Sequence, residues 1–182
     1  MALDARQRGV LRGMLSALAL AIAVGIAAVL APPAALIPLD GPADRLIAAL
    51  RWDVLVVACL ILSIGALARH RFFTPADIDG SGLTNATDRA RLLQAILQNT
   101  LEQTVIALAA HLVWAAAMPV AWQAVVPAAA ILFVFGRICF VVGYGGGAPA
   151  RAFGFALTFY PTVLMALVAG LTLAGRALGF TG

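Results

Sequence analysis

RICFVVGYGGGAPAR, residues 137–151, places two arginines and a tyrosine around a glycine-rich turn. Arg137 lies inside an apolar segment, and Tyr144 and Arg151 follow it at successive intervals of seven residues. A charged side chain within a membrane span costs about 2.5–3.5 kcal/mol on insertion scales, so it is retained where it has a partner or a function. The stretch therefore predicts a turn between two membrane spans, with a pocket for an anion at the membrane surface.

The composition is that of an integral membrane protein. Of the 182 residues, 63% are hydrophobic and only 11% are charged, and the mean hydropathy is +1.02. A soluble domain of this length needs more polar residues to cover its core. All the basic residues are arginines, and they lie at span ends rather than in a stripe, which argues against nucleic-acid binding. The arginine-only, alanine-rich usage points to a GC-rich bacterial genome.

Five apolar segments are long enough to cross about 30 Å of hydrocarbon, and they predict an all-α membrane protein. They are residues 10–31, 50–68, 92–118, 120–142 and 152–178. The first follows several arginines and could be a signal peptide. Its apolar run is longer than the core of a typical signal peptide, which favours a retained span.

The distribution of arginines predicts the orientation. The N-terminus and the second loop are rich in arginine, and the turn before the last span carries Arg151. The first loop is balanced by aspartates, and the third has no basic residue. The positive-inside rule therefore predicts a cytoplasmic N-terminus and a periplasmic C-terminus in a bacterial inner membrane. Arg151 then lies on the cytoplasmic side.

The third segment carries polar side chains along one helical face. Arg91, Ala95, Asn99 and Glu102 are spaced i, i+4, i+8 and i+11, and Gln98 flanks them. Such side chains in a span face the bundle interior or water, because lipid offers no hydrogen bonds. The pattern is typical both of a ligand site and of interhelical hydrogen bonds that only fix the bundle.

The two arginines of the quoted stretch have different predicted roles. Arg137 shares a helical face with Phe140 and Tyr144, and charge balance predicts an ion pair between Arg137 and Glu102 of the preceding span. Arg151 follows the turn at the start of a helix, where the N-terminus favours anions. The alternative for Arg151 is an anchor that reaches the lipid headgroups.

These motifs resemble those of the MAPEG family, the membrane-associated proteins of eicosanoid and glutathione metabolism. The resemblance rests on N-x-x-E at Asn99 and Glu102, on R-x-x-F-x-x-G-Y from Arg137 to Tyr144, and on Arg151 beyond it. It implies a four-helix transmembrane bundle that assembles as a homotrimer. It also implies glutathione bound between neighbouring subunits near the cytosolic side.

The family plan has four spans, so the first span of this chain is an extra N-terminal transmembrane helix. We expect residues 1–47 to form this helix and a periplasmic loop, and residues 48–182 to form the MAPEG-like four-helix domain. This boundary gives the chain one family domain with one added helix.

The resemblance implies a role for each matching residue. Arg151 matches the arginine that stabilises the glutathione thiolate, and Tyr144 matches a tyrosine that contacts the tripeptide. Asn99 and Glu102 match polar ligands of glutathione, and Gln98 lies beside them. Arg137 matches the arginine that opens the family's GY motif, and we assign it to structural pairing.

Two positions depart from the family pattern. Ala95 stands where the enzymes usually have an arginine, and Phe140 stands where they often have a tyrosine. Arg91, one turn before Ala95, either reaches glutathione in place of that arginine or faces the lipid headgroups.

The leading functional hypothesis is a glutathione-dependent transferase or peroxidase that acts on lipophilic electrophiles dissolved in the bilayer. The alternative is a non-catalytic MAPEG-fold protein, either a lipid-binding protein or an accessory subunit of a larger membrane complex. Ala95 and Phe140 favour this alternative. A transporter ranks third, because the spans show no paired broken helices or repeat.

The polar loop at residues 77–88, DIDGSGLTNATD, resembles a calcium-binding EF-hand loop, with Asp77 at position one and Asp88 at position twelve. An aspartate in place of the bidentate glutamate, and the membrane spans on either side, favour a solvated loop. In that case Thr87 or Asp88 caps the next helix. We predict no metal site here, and we expect His111 to hydrogen-bond a neighbouring helix.

Overall fold

Five long helices account for most of the chain. The computed structural model describes residues 3–31, 41–80 and 85–179. Within these ranges the helices are α1 (Ala5–Leu30), α2 (Pro42–Phe73), α3 (Asp88–Ala117), α4 (Val125–Gly143) and α5 (Ala148–Ala177), with short 3-10 turns at Pro75–Asp77, Val120–Trp122 and Tyr144–Gly146. All five spans are long and apolar enough to cross a membrane. The prediction of an all-α integral membrane protein with five spans is confirmed.

Local signals in the sequence fix where the helices begin. Asp4 and Gln7 form a capping box at the start of α1, in which each side chain accepts from the other residue's backbone N–H. The Thr87 hydroxyl accepts from the backbone N–H of Ala90 at 3.2 Å and caps α3, as predicted. Gly147 precedes α5 with φ of 82°, a left-handed conformation that favours glycine.

Polar side chains join α2 and α3 along their length. The pairs are Asp53 with His111, Ser63 with Thr100, and Arg71 with Gln94. The residue numbers rise in one helix as they fall in the other, so the two helices run antiparallel. The predicted hydrogen bond of His111 to a neighbouring helix is confirmed, since its Nδ1 lies 2.5 Å from Asp53 Oδ1 and both side chains are buried.

The helix α1 lies parallel to α5. Gly9 faces Pro149, and Gly13 faces Ala152 and Phe153, so residue numbers rise together in both helices. The starts of α1, α3 and α5 and the ends of α2 and α4 therefore lie at one end of the bundle, which we call the Arg151 end. Its assignment to the cytoplasm stays a prediction from the arginine distribution.

Glycines bring α4 and α5 into close contact at the Arg151 end. A Cβ atom at Gly154 would lie 2.3 Å from the backbone nitrogen of Phe140, and one at Gly143 would lie 2.3 Å from the carbonyl oxygen of Ala150. Larger side chains at these positions would force the two helix backbones apart. The glycines thus hold the turn containing Tyr144 directly against the first turn of α5.

Large apolar side chains cover much of the outward-facing surface of the spans. Val142 is 81% exposed and Leu30 is 78% exposed, as expected for side chains that face lipid. Buried polar side chains such as Thr100, Gln103 and Thr104 lie in the interior instead.

Candidate functional site

A cavity at the Arg151 end collects most of the predicted ligand residues. Its volume is about 530 Å³, which is within the range of small-molecule sites. We call it the Arg151 cavity, and its lining residues are Val10 and Met14 of α1, Ala95, Gln98, Asn99 and Glu102 of α3, Phe140 of α4, Tyr144 of the following turn, and Ala148, Arg151, Ala152 and Phe155 of α5.

The polar wall of the cavity comes from α3. Gln98, Asn99 and Glu102 fall within little more than one helical turn, so all three reach the same cavity. The Gln98 side-chain amide donates to Glu102 Oε1 at 2.9 Å, and both side chains are exposed. This hydrogen bond uses one of the two carboxylate oxygens of Glu102 and leaves the other available.

Arg151 and Tyr144 form the cationic side of the cavity. The Arg151 guanidinium carbon lies 4.5 Å from the centroid of the Tyr144 ring, a cation–π contact that fixes both side chains. Within the described part of the chain Arg151 makes no ion pair. Its charge is therefore available to an anion, and the N-terminal turn of α5 adds to the positive potential.

Arg137 lies behind the cavity rather than in it. Its two terminal nitrogens donate to Asn99 Oδ1 at 2.8 Å and to Thr158 Oγ1 at 2.7 Å, and only 3% of the residue is exposed. The ring of Phe140 lies 4.4 Å from its guanidinium carbon. Arg137 thus ties α3, α4 and α5 together where they meet.

The expected ion pair between Arg137 and Glu102 is replaced by the hydrogen bond from Arg137 to Asn99. Glu102 lies about 60° further round α3 than Asn99, so it points outward while Asn99 faces α4. Neither charged residue forms an ion pair within the ranges that the structure describes. Amide and hydroxyl dipoles and an aromatic ring hold the buried cation instead of a carboxylate.

Arg91, for which the sequence allows contact either with the ligand or with the lipid headgroups, is not among the residues that line the Arg151 cavity. Its guanidinium pairs with the Asp88 carboxylate and donates to the carbonyl oxygen of Ala86 at 2.6 Å. Asp88 is three residues earlier on the same helix, so it is the nearest anion. Arg91 thus pairs at the exposed start of α3.

The two departures from the family pattern both line the cavity. Ala95 leaves the α3 wall without a charged group one turn before Asn99. Phe140 is buried and packs edge-to-face on Tyr144, with ring centroids 5.3 Å apart. Its ring orients Tyr144 but offers no hydroxyl to a ligand.

Val10 and Met14 of α1 also line the cavity, although the sequence motifs do not point to them. A different signal in α1 does. Gly9 and Gly13 form a G-x-x-x-G pattern, which in membrane spans marks a face for close helix packing. Because that face packs on α5, the adjacent residues of α1 lie beside Arg151.

The loop between α2 and α3 is closed by Asp77. Its Oδ1 accepts from the Thr87 backbone N–H at 2.9 Å, and its Oδ2 accepts from the Thr87 hydroxyl at 2.6 Å and from His70 Nε2 at 2.9 Å. The hydrogen bonds from Thr87, and then that from His70, hold the pKa of the buried Asp77 carboxyl below its usual range. Asp77 therefore stabilises the start of α3.

The EF-hand alternative has little support from this geometry. Both oxygens of its first-position ligand, Asp77, are engaged within the protein. Across residues 3–31, 41–80 and 85–179 no cluster of three or more His, Cys, Asp or Glu could hold a metal ion. Ser81, Gly82 and Thr84 of this loop lie outside the described residues.

The fold and the cavity together define a helical membrane protein with a polar, cationic site between its spans at one end of the bundle. The model of the MAPEG family matches residues 48–171. The chain belongs to the MAPEG family, as its motifs predicted. The match begins within α2, so α1 lies outside it. No curated protein and no solved structure matches the chain.

Proposed function

We propose that this protein binds glutathione in the Arg151 cavity and transfers it to lipophilic electrophiles. One observation carries the proposal. A single cavity of about 530 Å³ unites Arg151 and Tyr144 with Asn99 and Glu102 of a different helix. Membership of the MAPEG family supports a glutathione-related membrane function at the level of the family.

Several polar groups of the cavity match groups of glutathione, which carries one ammonium group, two carboxylates and a thiol. Glu102 accepts hydrogen bonds from the ammonium group. Arginine is a donor only, so the oxygen of the Asn99 amide faces Arg137 and its NH₂ group remains for a glutathione carboxylate. Gln98 orients Glu102 through their mutual hydrogen bond.

Arg151 supplies the catalytic electrostatics. A free thiol has a pKa of about 8.5, and an adjacent guanidinium at a helix N-terminus lowers it. The thiol proton leaves to solvent and the thiolate remains beside Arg151. The thiolate sulfur then forms a bond to the electrophilic carbon of the substrate, and the leaving group departs with the electron pair of the broken bond.

The same thiolate reduces a lipid hydroperoxide. It attacks the distal oxygen, the O–O bond breaks, and the alkoxide takes a proton and leaves as the alcohol. A second glutathione then attacks the oxidised sulfur, so that glutathione disulfide forms and water is released. Both reactions need only the cavity, glutathione and a lipophilic partner from the bilayer.

The assembly that we propose is a homotrimer in the bacterial inner membrane, with membrane lipids around it. Glu102 supports this proposal, because its side chain is exposed in the single chain although it lies in a membrane-spanning helix. A neighbouring subunit packed on this part of α3 would shield the carboxylate from lipid.

Calorimetric titration of the protein with glutathione tests the proposal. At pH 7, in two buffers of different ionisation enthalpy, we expect binding to release close to one proton, because the bound form is the thiolate. Arg151→Gln removes the proton release. Arg6→Gln is the matched control, since it makes the same charge change at the same end of the bundle on an exposed side chain.

Glutathione that fails to bind, or that binds both arginine variants with equal proton release, would overturn the proposal. In that case the non-catalytic alternative takes its place. A second cavity, of about 380 Å³ and apolar lining, favours a lipid-binding role in that event. It lies between α1 and the helices α4 and α5, near Trp114 and Trp122.

A further inference from the structure

We infer that α1 forms the binding wall for the hydrocarbon part of the substrate, and that Val10 and Met14 determine substrate specificity. The inference rests on the proposed function and extends it from glutathione to its reaction partner. It concerns α1, which lies outside the residues matched by the family model.

Backbone packing holds α1 against the cavity. A Cβ atom at Gly9 would lie 2.9 Å from Pro149 Cβ, and one at Gly13 would lie 3.0 Å from the backbone nitrogen of Phe153. One turn further on, Ala17 is fully buried. These small residues at i, i+4 and i+8 let α1 approach the first turns of α5 as closely as a membrane helix can.

Val10 and Met14 each follow a docking glycine, so they point about 100° away from the packed face. Both line the Arg151 cavity and both are half-buried. Methionine has a flexible, polarizable side chain that adapts to irregular apolar ligands. The pair therefore forms a compliant apolar surface at a fixed position beside Arg151.

The cavity is divided by polarity. Asn99 and Glu102 come from α3, Val10 and Met14 come from α1, and Arg151 belongs to α5, which packs against both of these helices. A thiolate beside Arg151 thus has polar groups on one side and hydrocarbon on the other. The substrate class that fits is an electrophile whose reactive carbon bears a hydrocarbon chain, with the chain lying along α1.

S-alkyl glutathiones of increasing chain length test this assignment, because they place a hydrocarbon chain on the sulfur. We expect affinity to rise by up to about fourfold for each methylene that α1 buries. Met14→Trp fills the apolar side and abolishes this increment. Val10→Trp is a second variant at the same wall. Leu15→Trp, on the lipid-facing side of α1 with 55% exposure, is the matched control.

Alkyl carboxylates of the same chain lengths are a second probe, since their anionic head can occupy Arg151 without glutathione. Both series are titrated in lipid nanodiscs, with free concentrations corrected for partition into protein-free discs. A chain-length increment that Met14→Trp or Val10→Trp removes and Leu15→Trp retains supports the inference. An increment of equal size in all four proteins, or none in the unmodified protein with either series, overturns it. If glutathione fails to bind but the affinity of the carboxylates rises with chain length in the way described, the proposed function is wrong. The inference that α1 binds the hydrocarbon chain is then still supported.

Discussion

Replacing Gly154 with alanine tests whether the contact between α4 and α5 controls the stability of the bundle. The added Cβ would lie 2.3 Å from the Phe140 nitrogen and 2.7 Å from the Gly136 carbonyl oxygen. Both obstructing atoms belong to the backbone, so no rotamer change relieves the clash. Ordinary contact begins at 3.4 Å, and the helices must therefore separate by about 1 Å.

The cost of this separation has two parts. Overpacking of a buried site costs about 1–3 kcal/mol. The hydrogen bond between Arg137 and Thr158, which bridges α4 and α5 at 2.7 Å, is lost as well, and such bonds to charged groups contribute about 1.5–3 kcal/mol. We expect Gly154→Ala to lower the free energy of unfolding by about 2.5–6 kcal/mol, equivalent to about 5–24 °C in Tm for a chain of this size.

Thermal unfolding in detergent measures the effect, with Gly170→Ala as the control. Gly170 lies on the same helix and is exposed, and an added Cβ there meets no atom within 4 Å. The control should be neutral or stabilising by up to about 1 kcal/mol, because alanine is the better helix former. Equal Tm values for the two variants would refute the assigned close contact.

Two further predictions concern Arg137 and Asp77. Arg137→Lys should lower the free energy of unfolding by about 1.5–3 kcal/mol, because one ammonium group cannot reproduce the planar fork that reaches two helices. Arg91→Lys, at an exposed pair, should change it by no more than about 0.5 kcal/mol, and a similar loss in both variants would contradict the role of Arg137. The lowered pKa of the Asp77 carboxyl means that its ionised form stabilises the fold above the unfolded value of about 3.9, and that this contribution is lost as pH falls through the folded value. The Tm of Asp77→Asn should therefore lie below that of the unmodified protein at neutral pH and approach it in acid, whereas Asp79→Asn, on an exposed side chain, should show no such convergence.

The number and type of the helices follow from the sequence because hydrophobic length and arginine placement determine them directly. The caps follow too, since Thr87 acts on the backbone three residues away. Side-chain contacts within one helix, or across the turn that follows the GY motif, can be predicted from the sequence for the same reason. Tyr144 and Arg151 were expected at one site, and they meet there across a 4.5 Å cation–π contact.

Side-chain contacts between different helices are harder to predict from the sequence, since they depend on the rotation and the register of each helix. Charge balance favoured Glu102 as the partner of Arg137, yet the rotation of α3 brings the neutral Asn99 to that position. A cation in a membrane interior does not require a carboxylate when amide and hydroxyl dipoles and an aromatic face surround it. Electrostatic pairing by sign alone therefore selects the wrong partner.

The parallel packing of α1 on α5 has a consequence for biogenesis. Three helices separate α1 from α5 in the chain, so the surface formed by Gly9, Gly13 and Ala17 has no α5 to pack on until α5 has been synthesised. The pairing is the most non-local in sequence of those that form the cavity, and such contacts form slowly. The Arg151 cavity thus acquires its apolar wall only after α5 has entered the membrane. A chain truncated before α5 leaves α1 without the helix on which it docks.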